Sequence, residues 1–262
     1  MVFSSDQLKE WLSLAEEVAK LSGAFLAQSR DKVKQVRADS GRDIKIEADQ
    51  QSERMIINYL QRRSEFSILS EESGLLTANK EKDGLTWIID PLDGSLNYSR
   101  GIPICCVSVG LWQRDKALLG SVYDFNNDEL FSGIVGKGAW LNGETIKTSI
   151  TAEKEKAVLC TGFPIGTDFS KNALTVFVQH VRAYKKVRLI GSAALSLAYV
   201  ASGRVDAYLE KDIMFWDVAG GLAIVQAAGG RIIQINSNRS NVLTVYASNP
   251  FLPEPNIKYG SL

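Results

Sequence analysis

Trp87-Ile88-Ile89-Asp90-Pro91-Leu92-Asp93-Gly94-Ser95 decides how this chain is read. Three large apolar residues form a strand that runs straight into two aspartates three positions apart. Pro91 suits the second position of a turn, and such a turn brings its first and fourth residues within roughly 7 Å. Asp90 and Asp93 can then converge on one point, where two carboxylates repel each other unless a cation lies between them. Gly94 has no side chain, so a ligand can approach the backbone there. A helix that starts near Ser95 would offer free N–H groups to a phosphate. The same residues also read as a plain surface turn, because Asp-Pro-x-Asp-Gly is favourable turn chemistry.

A second acidic pair, Glu71-Glu72, follows the apolar strand Phe66 to Ser70. It reads either as a solvated loop or as a ligand site, since open sheets place ligands at strand ends. Asp49 precedes a helical pattern that runs to Leu60, and Asp217 precedes another that runs to Ala228. Taken singly, each reads as a helix N-cap. Gly220-Gly221 within the second of these helices costs about 2 kcal/mol against alanine. Such a pair signals another backbone packed close by, which would hold Asp217 in place.

These are carboxylates without histidine. His180 is the chain's one histidine, and it lies in the helical stretch from Asp168 to Tyr184. Zinc sites want His or Cys, whereas Mg²⁺ wants oxygen ligands. Cys105, Cys106 and Cys160 show no metal-binding spacing and read as buried reduced thiols. A P-loop with its lysine is absent, and a serine triad lacks its histidine. An aspartyl-nucleophile phosphatase would carry two aspartates two apart after a strand; here they are three apart, with proline between.

Lys+Arg and Asp+Glu both number 30, which argues against a dedicated nucleic-acid or membrane-surface binder. No run approaches the length of a membrane span and no leader opens the chain, so a cytoplasmic protein is expected. The chain's 262 residues fit one large domain or two closely packed ones. Ser4 and Gln7 form a capping box for a first helix ending near Arg30. A polar stretch from Asp31 to Lys45 follows. Strands at Ile104–Trp112, Leu118–Tyr123 and Leu130–Val135 come next, and Asn142-Gly143 signals a hairpin. From Ala157 onward strands and helices alternate. The expected organisation is an N-terminal α+β half, 1–147, carrying most acidic site residues, and an alternating α/β half, 148–262, carrying Asp217.

With these motifs in hand, the chain resembles the inositol monophosphatase family of lithium-sensitive, magnesium-dependent phosphatases. The matching residues are Ser70-Glu71-Glu72-Ser73, Trp87 to Tyr98, Gly191-Ser192-Ala193-Ala194, Asp206 to Glu210, and Trp216-Asp217-Val218-Ala219-Gly220. Order and spacing agree from about Asp43 to Gly230.

The resemblance implies a layered α-β-α-β-α sandwich, a mixed α/β fold. It implies two to three Mg²⁺ ions: one held by Glu71, Asp90 and the Leu92 carbonyl, a second by Asp90, Asp93 and Asp217, and a third, weaker one near Glu71. Phosphate would sit on Leu92, Asp93, Gly94 and Ser95, and a polyol on Asp93, Gly191, Ser192, Ala193, Glu210 and Asp217. In-line attack by a metal-activated water, with Asp49 and Ser95 orienting it and taking its proton, is the implied mechanism. Inositol-1-phosphate is the leading substrate. Adenosine 3',5'-bisphosphate, fructose 1,6-bisphosphate and histidinol phosphate are the alternatives, with Lys185, Arg188 and Lys211 as residues that a second phosphate would use. A non-catalytic metal or phosphate binder is the competing class. A homodimer is expected. Two departures stand out: Ser95 replaces a common threonine, and Ala38 stands where many members carry a loop lysine, which Arg37, Arg42 or Lys45 would have to replace.

Overall fold

The computed structural model describes residues 3–30, 36–40, 43–78, 84–163 and 167–255, with the backbone alone at 36–40, 43–46 and 176. α1 (Ser5–Ser29) opens on the expected capping box: Gln7 N–H donates to Ser4 Oγ at 3.1 Å, and Ser4 N–H donates to Gln7 Oε1 at 3.0 Å. β1 (Val36–Ser40) and β2 (Asp43–Ile46) then pair as an antiparallel hairpin. The polar composition of that stretch gives no strand signal, and the hairpin is defined by its backbone pairing. α2 (Glu47–Gln61), β3 (Ser67–Ser70), β4 (Gly74–Leu76), β5 (Leu85–Asp93) and α3 (Ser95–Arg100) follow.

A meander comes next: β6 (Cys106–Gln113), β7 (Lys116–Asp124), β8 (Glu129–Ile134), β9 (Gly138–Leu141) and β10 (Glu144–Ile146). Both turn residues of the last hairpin, Asn142 and Gly143, have positive φ, at 50° and 85°. That geometry explains the Asn-Gly signal. These strands build an eight-stranded sheet in the order β10-β9-β8-β7-β6-β5-β3-β4, parallel only between β3 and β5.

The remainder alternates: β11 (Val158–Thr161), α4 (Lys171–Ala183), β12 (Lys186–Arg188), α5 (Ala193–Ala201), β13 (Ala207–Met214), α6 (Phe215–Ala227), β14 (Arg231–Asn236) and β15 (Val242–Ser248). Its five strands form a second mixed sheet, ordered β12-β11-β13-β15-β14.

The layers follow from which faces are apolar. Val107, Val109 and Leu111 of β6 point into a core beneath α1 and α2. The alternate residues Cys106 and Trp112 point into a second core around α5 and α6. On the other sheet, Tyr208, Val245 and Ala247 face that same central core, whereas Leu159, Ala207, Leu209 and Tyr246 face outward to a third cluster at the end of α4. The period of two along each strand thus yields the α-β-α-β-α sandwich.

α6 is buried along Val218 to Val225 because it lies between the two sheets. Gly110, Gly120 and Gly133 stand in register on β6, β7 and β8. A Cβ on Gly120 would lie 2.2 Å from the Gly220 carbonyl oxygen, and one on Gly110 would lie 3.1 Å from Gly220 N. The three glycines form a trough in which the helix backbone rests. The Gly-Gly pair is therefore explained in part by backbone contact, while Gly221 faces the Leu197 side chain.

Candidate active site

The strand carrying the acidic motif does not end in a β-turn. β5 stays paired with β6 through Asp93, and the register shifts from Asp90↔Ser108 to Asp93↔Cys106. Three steps on β5 oppose two on β6, which is a β-bulge. Proline is tolerated there because the bulge spares its missing donor. Ser52 of α2 donates to the Pro91 carbonyl at 2.8 Å, and Leu92 N–H donates to Asp90 Oδ1 at 3.0 Å. The bulge re-aims the two aspartates as the expected turn would have done.

Gly94 follows in the left-handed region, with φ 88° and ψ 38°, and starts α3. A Cβ there would meet the Ile104 carbonyl at 2.8 Å and the Gly191 carbonyl at 3.2 Å. Ser95 Oγ lies 3.3 Å from Asp49 Oδ1 and 3.0 Å from the Leu92 carbonyl. Asp49 is buried and sits in the first turn of α2 rather than before the helix. Its side chain is turned to Ser95, so the N-cap reading of Asp49 is corrected.

Asp217 is likewise inside its helix, three positions after the N-cap Met214. Its carboxylate accepts from the Met214 backbone, the reach-back half of a capping box, so it supports the helix start without being the N-cap. Asp93 is held from the opposite direction. Ser192 Oγ and the N–H of Ala194 donate to its Oδ2 at 2.5 and 2.7 Å, and Ala193 N–H lies 3.3 Å from Oδ1. The start of α5 therefore grips Asp93, and the expected polyol segment Gly191 to Ala193 lies against the acidic cluster.

Burial, and then the charges of Glu71, Asp93 and Asp217, push the Asp90 carboxyl well above its usual range. Burial, Glu71, Asp93 and Glu210 act on Asp217 in the same direction. Asp93 is raised by burial, against the hydrogen bonds from Ser192, Ala194, Ala193 and Cys106. Four carboxylates from β3–β4, β5 and α6 thus face one another across the fold. Among the described residues the side chains as they stand do not close three such groups around one point. The donor set is nonetheless all oxygen, and the mutual repulsion is what a hard divalent cation relieves, so the residues fit Mg²⁺.

Glu210 is buried beside this cluster, and Tyr208 Oη donates to its Oε2 at 2.8 Å. Burial raises its carboxyl to about 7, with a further push from Asp93. A Cβ at residue 162 would lie 2.5 Å from the Glu210 carboxylate, so Gly162 leaves the space that Glu210 fills. His180 is half-buried on α4 and lines an apolar cavity between that helix and β11 and β13. The three cysteines are buried and unbridged. The side chains of Arg37, Arg42 and Lys45 lie outside the described residues, as does that of Ala38.

Sequence reasoning missed three supporting residues. Asn97 Nδ2 donates to the carbonyls of Ile104 and Ile190 at 2.8 and 2.9 Å, tying α3 to the approach to α5. Ser52 and Glu53 of α2 were readable as helical neighbours of Asp49 at i+3 and i+4. Among the described residues no helix is long and apolar enough to cross a membrane.

The sequence profile of the inositol monophosphatase family matches residues 7–257. The chain is 39% identical over 233 residues to an inositol-1-monophosphatase of Synechocystis sp., covering 87% of this chain and 80% of that protein. It is 31% identical over 245 residues to Nus factor SuhB of Escherichia coli (strain K12), covering 91% of each. The fold matches the structure of inositol monophosphatase from Anabaena (Nostoc) sp. PCC 7120 with a TM-score of 0.80 at 35% identity, over 94% of this chain and 92% of that one. By profile, sequence and fold together, the chain belongs to the inositol monophosphatase family.

Proposed function

We propose that this phosphatase is Mg²⁺-dependent and lithium-sensitive, and that it hydrolyses inositol-1-phosphate or a closely related polyol phosphate. The observation that carries this reading is the proximity of buried Asp90 and Asp93 to half-buried Glu71 and Asp217, whose mutual repulsion asks for a cation. Glu71, Asp90, the Leu92 carbonyl, Asp93 and Asp217 would hold two to three ions. Bound there, Mg²⁺ would supply a Lewis acid that acidifies water and offsets charge on the phosphoryl group.

The chain's own residues would do the rest. Leu92 to Ser95 would receive the phosphate, with Gly94 supplying the left-handed backbone that packs against the Ile104 and Gly191 carbonyls. Ser95 Oγ has one proton for two acceptors, Asp49 Oδ1 and the Leu92 carbonyl. Turned toward Asp49, the hydroxyl presents a lone pair that can accept the proton of an attacking water. Glu210, with Gly191 to Ala193, would take the hydroxyls of the leaving alcohol, because a carboxylate accepts hydrogen bonds from them. In this reading residues 1–147 carry most of the metal-binding side chains, and 148–262 add Asp217 and the alcohol site. A homodimer and a cytoplasmic location belong to the same reading.

The test is a panel of phosphate esters assayed with and without Mg²⁺. Inositol-1-phosphate is expected to give the highest kcat/KM, with activity lost in EDTA and inhibited by Li⁺ and Ca²⁺. Full activity in excess EDTA would overturn the metal assignment. A higher kcat/KM on a nucleoside bisphosphate, fructose 1,6-bisphosphate or histidinol phosphate would overturn the substrate.

A further inference from the structure

One face of α2 touches three separate parts of the site. Asp49, Ser52 and Glu53 are spaced i, i+3 and i+4, so they share a helix face. Asp49 reaches Ser95 at the start of α3, and Ser52 reaches the Pro91 carbonyl in the β5 bulge. Glu53 reaches the turn between β3 and β4, where Glu71 stands.

The Glu53 contacts are unusually complete for a side chain buried to 4% exposure. Its Oε1 accepts from Ser70 Oγ, from Glu72 N–H at 3.2 Å and from Ser73 N–H at 2.9 Å. Its Oε2 accepts from Ser73 Oγ at 2.8 Å. All four donors are neutral, and they bracket Glu71: one precedes it and three follow it. A buried carboxylate is retained at a cost unless such donors satisfy it. Here they do, and in return the carboxylate fixes the backbone on either side of Glu71.

We propose that Glu53 is a positioning residue for the metal site: by clamping Ser70, Glu72 and Ser73 it presets the Glu71 carboxylate and so sets cation affinity rather than the chemical step. This rests on the metal-dependent reading above. It separates Glu53 from Asp49 on the same helix face, whose contact is with the proton-carrying Ser95. Partners behind a metal ligand typically change metal affinity by roughly 10- to 100-fold when removed.

The test compares wild type, Glu53→Gln and Ser73→Ala by two measurements. One is the Mg²⁺ concentration giving half-maximal turnover. The other is the Mg²⁺ concentration giving half of the metal-induced rise in Tm, which needs no substrate. Glu53→Gln keeps the shape but presents an amide N–H₂ to groups that are themselves donors. It is expected to raise both midpoints at least about tenfold, while kcat at saturating Mg²⁺ falls by less. Ser73→Ala removes one hydroxyl and is expected to shift both midpoints in the same direction by a smaller factor. Wild-type midpoints in a variant that merely melts earlier would overturn the proposal, leaving Glu53 as a fold-stabilising turn clamp. Loss of kcat with unmoved midpoints would also overturn it. If Glu53→Gln does not fold, an unshifted Ser73→Ala is sufficient to reject it. A wild-type protein with no Mg²⁺ response in either measurement would instead reject the metal-dependent reading itself.

Discussion

The backbone N–H of Ala194 donates to Oδ2 of Asp93 at 2.7 Å, across 101 residues of sequence. The first turn of α5 thereby binds a carboxylate presented by the bulge of β5, and the positive end of a helix suits that charge. Ser192 strengthens the junction, because its hydroxyl donates to the same oxygen and also accepts from Leu195 N–H at 3.2 Å. The segment expected to meet the polyol therefore also fixes the orientation of a carboxylate in the acidic cluster. Among the described residues Oδ1 takes the longer contact to Ala193 N–H and is the freer oxygen for a cation.

Ser192→Ala removes both the α5 cap and one donor to Asp93. The cap alone is worth about 1 kcal/mol, and a hydrogen bond to a charged group about 1.5–3 kcal/mol. Urea unfolding of the metal-free protein is expected to show a loss of about 2–4 kcal/mol, together with reduced turnover. Unchanged stability would mean that the Ala193 and Ala194 N–H groups suffice to hold Asp93.

Much of this was legible in the sequence, for reasons that are local. The Ser4–Gln7 capping box, the Asn142-Gly143 hairpin and the helix after Trp216 each depend on residues a few positions apart. The Asp90–Asp93 motif was legible as a convergence point but not as a bulge, because only the pairing of β5 with Ser108 and Cys106 distinguishes the two. The β1–β2 hairpin was hidden by its polar composition. The trough of Gly110, Gly120 and Gly133 could not be seen either, since the register of three strands brings those glycines together. Asp49 and Asp217 were misplaced by a few residues at helix starts, where the cap and the first turn favour the same residue types.

Ser95→Ala tests the proton path. The alanine variant loses the hydroxyl that lies 3.3 Å from Asp49 Oδ1. General-base assistance is typically worth on the order of 10²–10⁴-fold, so kcat is expected to fall within that range. Ser95→Thr keeps the hydroxyl and is expected to retain most of the activity. Equal kcat for alanine and serine would remove Ser95 from the chemistry.

Gly120→Ala tests the seat of α6. A Cβ there would stand 2.2 Å from the Gly220 carbonyl oxygen and 2.9 Å from its carbon, and both are backbone atoms that cannot rotate away. Overpacking of this kind typically costs 1–3 kcal/mol, and about 3 kcal/mol is expected here because helix and sheet must separate. Asp217 lies one turn from the contact, so activity is expected to fall further than stability alone explains. A variant with wild-type melting and turnover would show that α6 has slack against β7.

Glu210→Gln separates substrate binding from folding by its dependence on pH. Burial raises the folded-state carboxyl from 4.5 to about 7, so the folded protein holds this proton more tightly than the unfolded chain does. The stability that Glu210 contributes is therefore fully present below pH 4.5 and is lost as pH rises toward 7. Glutamine cannot ionise, and its carbonyl can still accept from Tyr208. Wild type and variant are expected to match near pH 4.5. Above pH 7 the variant gains up to about 3 kcal/mol, the equivalent of the shift from 4.5 to about 7. Activity should move the other way. Losing a charged acceptor costs about 1.5–3 kcal/mol, so KM for inositol-1-phosphate is expected to rise roughly tenfold or more. A small ester without hydroxyls should be unaffected, and a bisphosphate should bind equally well or better, because a carboxylate repels a second phosphate. Urea titrations at pH 4.5 and 8, with KM for the three esters, check both halves. Equal losses on every ester would move Glu210 from the alcohol site into support of the acidic cluster. A stability difference independent of pH would show that the cost of burying its charge is already offset in the fold.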